Sequence, residues 1–268
     1  MTIDRNRLLA VPVLAVLAFF VLRLVLPVSA EGAVNRSFNV AAFLLAALGS
    51  FSAARSFQKS DYLRIAWHTQ AVASLLLAVS SVLRGLEPVE TTLLARTPLV
   101  FMANLLTVFG AVIFARTHRV AGLELPWSRQ ARVTFFAAIT AAALLAAGPS
   151  IVVLVRPALD GDLTSWMQIF SAIGDLVFLL LIAPIFMTAL ALRGGLLTWP
   201  WVFLTASTAA WLAYDAQDSV VYFFPHLEVL DRTILTVPLR VLACTLLFSA
   251  SVAQRRLTTG SIVQSGNE

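Results

Sequence analysis

The stretch TWPWVFLTASTAAWLAYDAQDSVVYF, residues Thr198–Phe223, decides how the chain is read. It is long and apolar enough to cross a bilayer, yet it carries Asp215 and Asp218 in its outer half. A carboxylate at mid-bilayer costs about 3 kcal/mol on insertion scales, so two on one helix need shelter from other segments.

The remaining sequence supplies a membrane setting for that helix. Of 268 residues, 59% are hydrophobic and 12% charged, and mean hydropathy is +0.88. Soluble domains carry about 25% charged residues, so charge here is too sparse for a water-facing surface. The fold class that follows is all-α: a polytopic bundle of transmembrane helices. Aromatic residues fall among aliphatic runs and not among basic ones, so the net charge of +5 marks basic loops and nucleic acid is not an expected partner. The one cysteine, Cys244, makes neither an internal disulfide nor a zinc site and reads as a small core residue. Lys59, the one lysine, lies in a loop, which excludes a retinal protein built on a Schiff-base lysine in its last helix.

Working outward from Thr198–Phe223, apolar runs fall at 8–28, 38–56, 62–84, 97–116, 132–155, 167–192, 198–224 and 233–254. Each meets or approaches the ~20 residues that a hydrocarbon core requires. Turn and breaker residues separate them: Glu31-Gly32, Gly85 to Pro88, Pro126, Asp160-Gly161-Asp162, Gly194-Gly195 and Pro225. Residues 1–256 form one transmembrane domain on this pattern, and 257–268, which lack an apolar period, are expected as a disordered tail. Arg5, Arg7, the apolar run from Leu8 and Val28-Ser29-Ala30 resemble a signal peptide, and cleavage would leave seven spans. Arg23 interrupts that run, so eight spans are expected.

Twelve basic residues fall on one side of the membrane: Arg5, Arg7, Arg55, Lys59, Arg64, Arg116, Arg119, Arg129, Arg132, Arg193, Arg255 and Arg256. Five, Arg36, Arg84, Arg96, Arg156 and Arg232, fall on the other, while Arg23 and Arg240 lie inside spans. Positive residues stay inside, so both termini are expected in the cytoplasm of a cell with a bacterial-type inner membrane. A 4+4 tandem repeat is also suggested. Trp67 and Trp201 hold comparable places in spans three and seven, and Pro98-Leu99 with Ala103 and Leu106 recurs as Pro238-Leu239 with Ala243 and Leu246.

The charges inside spans share a depth. At the helical rise, Asp218, Asp215, Asp175, Arg240, Arg23 and Asn104 lie about 9, 13, 10, 10, 8 and 10 Å below the outer ends of their spans. Trp211, Asp215, Asp218 and Tyr222 recur at steps of four, three and four, so they form one stripe. Gln168, Ser171 and Asp175 do the same on span six, and Thr233, Thr236 and Arg240 on span eight. Polar stripes on consecutive helices converge in a bundle interior or around a water-filled cavity, because lipid penalises them.

The candidate ligand- or ion-binding residues are therefore Asp175, Asp215, Asp218, Arg240 and Arg23, with Trp211, Tyr214 and Tyr222 as the wall. Three aspartates against two arginines leave one negative charge, to be relieved by protonation or a bound cation. A second account is structural: interhelical polar contacts that fix packing contribute on the order of 0.6 kcal/mol each. A proton- or cation-coupled transporter and a membrane enzyme use the same residues. Asp215-x-x-Asp218 suits Mg²⁺ and a diphosphate, as in membrane prenyltransferases, but the second acidic cluster those enzymes need is missing from the sequence. His68 and His118 lie toward the inner ends of spans three and four, and His226 lies in an outer loop; facing histidines at matched depth would be needed to bridge a haem. No HExxH, GxSxG, CxxC or P-loop pattern occurs, and the sequence points to no particular cofactor. Trp127, Trp166, Trp199, Trp201, Tyr62 and Tyr222 suit interface belts, and Pro184 should kink span six.

GDLVFLLLIAPIFMTALALRGG (Gly174–Gly195) with WPWVFLTASTAAWLAYD (Trp199–Asp215) resembles the multi-span input modules of bacterial sensor proteins over under a fifth of the chain. The resemblance implies detection of a membrane-soluble or periplasmic signal. Without a kinase, cyclase or other output domain in the sequence, it implies a protein partner for output.

Overall fold

Hydrocarbon offers the backbone no hydrogen bonds, so an apolar chain of this kind satisfies its amides within helices. The computed structural model describes residues 5–86, 89–120, 127–191, 198–223 and 233–265, and every regular element among them is helical. The elements are α1 (Arg5–Val25), a short 3-10 turn (Val28–Ala30), α2 (Glu31–Arg55), α3 (Tyr62–Leu83) and α4 (Val89–Val120). They continue with α5 (Arg129–Leu159), α6 (Leu163–Ala191), α7 (Thr198–Phe223) and α8 (Thr233–Ser265). Seven of them, α1 to α6 and α8, are long and apolar enough to cross a membrane.

Several helices outrun the apolar segments that announce them. The first turns are held by caps: Asp61 accepts from the Leu63 amide at 2.8 Å, and Ser128 accepts from the Ala131 amide at 3.2 Å. Asp162 accepts from the Thr164 and Ser165 amides, each at 3.0 Å, and the turn before it places Gly161 at φ 98°, which suits glycine. Within the stretch expected as a tail, α8 continues to Ser265. Side-chain bonds hold its polar end against α2: Thr258 donates to Ser56 Oγ at 2.5 Å and Arg255 to Ser52 Oγ at 2.8 Å. Pro184 lies within an unbroken α6. The Gly194-Gly195 turn, Arg193, Pro225, His226 and Arg232 lie outside the described residues.

The packing order is a ring. Going round it, α2 packs on α3, α3 on α4, α4 on α6, α6 on α7, α7 on α8, and α8 returns to α2. The two remaining helices are peripheral: α1 lies chiefly against α8, and α5 against α6 and α7. Their outward faces are aliphatic, with Leu24 85% and Leu145 71% exposed, as suits helices bordered by lipid. Toward the end of the ring that carries the α2–α3 turn, the centre is filled. The Trp67 ring meets Phe114 edge-on at 5.3 Å, and Phe114 meets Trp201 at 5.5 Å, so Trp201 joins the core and not an interface belt. Trp67 and Phe114 are fully buried.

Candidate functional site

Beyond that aromatic plug the ring is not filled. A cavity of about 190 Å³ runs up its middle toward the end bearing the α3–α4 and α5–α6 connections, lined by residues of all six ring helices. Apart from α2, which contributes Phe43 alone, each helix contributes a stripe, so the alternation of three and four residues carries polar groups up the wall. On α7 the stripe is Leu204, Ser207, Thr208, Trp211, Tyr214 and Asp215; on α6 it includes Gln168, Ser171 and Asp175; on α8 it is Arg240, Cys244 and Leu247.

Asp175 and Asp215 meet here. Both are buried, and their carboxyl groups are hydrogen-bonding neighbours across the α6–α7 seam. An ionised carboxylate only accepts, so a bond between two carboxyls requires that one hold a proton. The backbone of α7 is pinned at the same level, because Ser150 of α5 donates its hydroxyl to the Asp215 carbonyl at 3.0 Å. Two turns below, Ser207 donates to the Ala243 carbonyl of α8 at 2.7 Å. On α4, the amide nitrogen of Asn104 lies buried in the wall without a hydrogen-bond partner. Gln70 of α3 donates to the Thr107 carbonyl at 3.1 Å.

Beside the acidic pair the chemistry changes sign. Arg240 donates to the Tyr214 hydroxyl at 2.6 Å, with its guanidinium carbon 4.7 Å from the tyrosine ring centroid. Trp211 stands edge-on to Tyr214 at 5.8 Å and stacks on Phe43 of α2 at 6.0 Å, so the aromatic residues of the wall brace one another. Arg96 of α4 lines the same cavity and donates through Nε to the Ser80 carbonyl at 3.1 Å, which leaves its outer nitrogens unspent by that bond. Arg84, at the end of α3, stands exposed at the rim.

The structure thus gathers Asp175, Asp215, Arg240, Trp211 and Tyr214 at one cavity. It does not bring Arg23 there: that guanidinium pairs with Glu31 across the α1–α2 connection, on the peripheral side of α8. Arg23 follows the local acid eight residues on because α1 lies outside the ring. Asp218 and Tyr222 belong to α7 beyond Gln217, where side chains lie outside the described residues. Arg84 and Arg96 were counted by sequence with an outer loop, and their signal was nevertheless present. Gln70, Ser74, Ser81 and Arg84 repeat at steps of four, seven and three, and Arg96, Asn104 and Thr107 at eight and three, which keep each set on one side of its helix. With these two arginines the surplus at the cavity is positive, not negative, among the described residues.

Other candidates fall away from it. His118 Nε2 lies 2.8 Å from the Thr188 hydroxyl, between α4 and α6, and His68 packs edge-on to Phe51 at 5.4 Å. Among the described residues no three His, Cys, Asp or Glu side chains gather where a metal ion would bind. No known family, curated protein or solved structure matches this chain.

Proposed function

We propose that the chain is a multi-pass protein of a bacterial-type inner membrane that recognises a small ligand or ion in this cavity. All eight helices cross, α7 included, both termini are cytoplasmic, and the mouth faces outward. Recognition is passed on through a protein partner. The observation that carries the proposal is the cavity itself: polar within an apolar ring, open at one end and shut at the other by Trp67, Phe114 and Trp201. Polar side chains that served packing alone would be expected to bond one another across a filled seam, since an unfilled interior forfeits stability. A blind-ended pocket suits reception better than passage. The internal order supports the 4+4 repeat too: α2–α3–α4 and α6–α7–α8 follow one another round the ring, and the closing contacts, α4 on α6 and α8 on α2, are equivalents.

A second reading, a proton- or cation-coupled transporter on the same residues, is favoured by the Asp175–Asp215 pair, which is built to hold or release a proton. One experiment separates the two. Protein reconstituted in liposomes containing a pH-sensitive dye is expected to pass no protons under an imposed pH gradient, alone or with small amines and carboxylates. Detergent-purified protein is expected to be stabilised against heat by at least one of those solutes, and a concentration of 100 Kd contributes about 2.7 kcal/mol. Flux abolished by Asp215→Asn would select the transporter instead. Neither flux nor stabilisation by any solute would leave the charges with packing alone.

A further inference from the structure

We propose that Arg84, Arg96 and Arg240, with the Tyr214 hydroxyl, form an anion subsite at the mouth of the cavity, taking a carboxylate or phosphate group. The inference rests on the cavity being a ligand site and names the chemistry it selects. Three guanidinium groups come from three helices and stand near enough to repel one another. Among the described residues no carboxylate pairs with any of them; the ion pair described there is Arg23–Glu31, elsewhere in the fold. Like charges gathered at a partly dry site raise its free energy, and a bound anion lowers it.

The hydrogen bonds prepare the groups for such a guest. Arg96 spends its Nε on the Ser80 carbonyl, which orients the fork of its two outer nitrogens. Tyr214 accepts from Arg240, so the tyrosine's own proton is left to donate to a further acceptor. The end of α3 that carries Arg84 is itself fixed, because Arg36 donates to the Gly85 carbonyl at 3.1 Å. Planar guanidinium forks match the paired oxygens of carboxylate and phosphate. In the same cavity, the Asp175–Asp215 pair and Asn104 remain for the guest's donor and acceptor groups. The same oxyanion chemistry belongs to a free solute and to the headgroup of an anionic lipid.

Cys244 supplies the test, since it is the one cysteine in the chain, is buried, and lines the cavity below Arg240. Methanethiosulfonate reagents convert its thiolate to a mixed disulfide and release methanesulfinate, so their rates report passage through the mouth. Purified full-length protein would be treated with neutral methyl, anionic sulfonatoethyl and cationic trimethylammonioethyl reagents, each rate divided by that with a free thiol. The anionic reagent is expected to be faster than the cationic one by about tenfold or more, the effect of a cleft lined by one sign of charge. Inorganic phosphate is expected to protect Cys244, sodium chloride at equal ionic strength is not, and Arg84→Gln and Arg96→Gln should each reduce the anionic preference. Two variants are used because one is at the rim and the other is bonded into α3. Protection in phosphatidylglycerol nanodiscs but not phosphatidylcholine ones assigns the anion to lipid; protection by phosphate in phosphatidylcholine assigns it to a free solute. Equal anionic and cationic rates, with the neutral reagent still reacting, would overturn the anion subsite and leave the cavity. Failure of all three reagents would overturn the open cavity and the ligand site together.

Discussion

At the scale of single residues, carboxyls at two places in this protein are kept by two different devices. Asp175 and Asp215 are buried side by side on neighbouring helices, within hydrogen-bonding reach of one another. Removing one would strand the other among apolar walls, whereas an amide in its place can still bond. Asp162 is kept at the surface by local geometry: the Ser165 hydroxyl, then the Thr164 amide and the Ser165 amide, hold its carboxyl below the usual aspartate range. A carboxyl whose folded pKa is depressed stabilises the fold above its unfolded pKa, and that contribution is lost as pH falls through the folded value. Asp162→Ala should therefore lower the thermal midpoint in detergent at pH 6 to 7. The gap to wild type should narrow as pH drops below about 4, and a gap that widens there would contradict the capping account.

At the scale of elements, the seams differ in how closely backbones approach. A Cβ built on Gly49 of α2 would lie 2.8 Å from Phe248 Cδ2 and 3.2 Å from Phe248 Cα, so backbone as well as side chain of α8 stands in the way. Gly148 of α5 faces nothing within 4 Å. Gly49→Ala is expected to destabilise the protein by about 1–3 kcal/mol, the usual cost of forcing atoms into a filled seam. Gly148→Ala should be neutral or stabilise by about 0.5–1 kcal/mol, since glycine is a poor helix former. Thermal unfolding of both variants decides it, and equal effects would deny that the α2–α8 seam is tighter than the free face of α5.

Helix existence and approximate position were legible from hydropathy, because each span must satisfy its own backbone. Their ends were not: α4 begins eight residues, α5 three and α6 four before the apolar run, the last two capped by Ser128 and Asp162. That difference moved Arg96 from loop to helix, and with it a site residue into view. The extension of α8 depends on Ser52 and Ser56, some two hundred positions earlier in the chain, where no local pattern reaches.

At the scale of the whole molecule, one end of the ring is plugged and the other admits solvent, so which end faces the cell interior sets what the cavity can meet. The basic residues Arg55, Lys59 and Arg64 flank the plugged end, and the α5–α6 turn with Asp160 lies at the open one. In a Cys244→Ala background, a membrane-impermeant maleimide should label Asp160→Cys in intact spheroplasts and Lys59→Cys only after the membrane is opened. Both positions are exposed, so reversed labelling would turn the cavity toward the cytoplasm. The proposed ligand would then be an internal one.

From its sequence alone this chain is committed to apolar helical rods, and Asp175, Asp215 and Arg240 are committed to a shared depth, because hydropathy and the helical period are properties of neighbouring residues. Which rods close the ring is a matter of azimuth and lateral order, set by contacts between segments far apart in the chain. Tertiary structure therefore placed α1 and α5 outside, gave Arg23 to Glu31, brought Arg84 and Arg96 to the mouth, and left a hollow between helices whose individual patterns are equally compatible with a filled core.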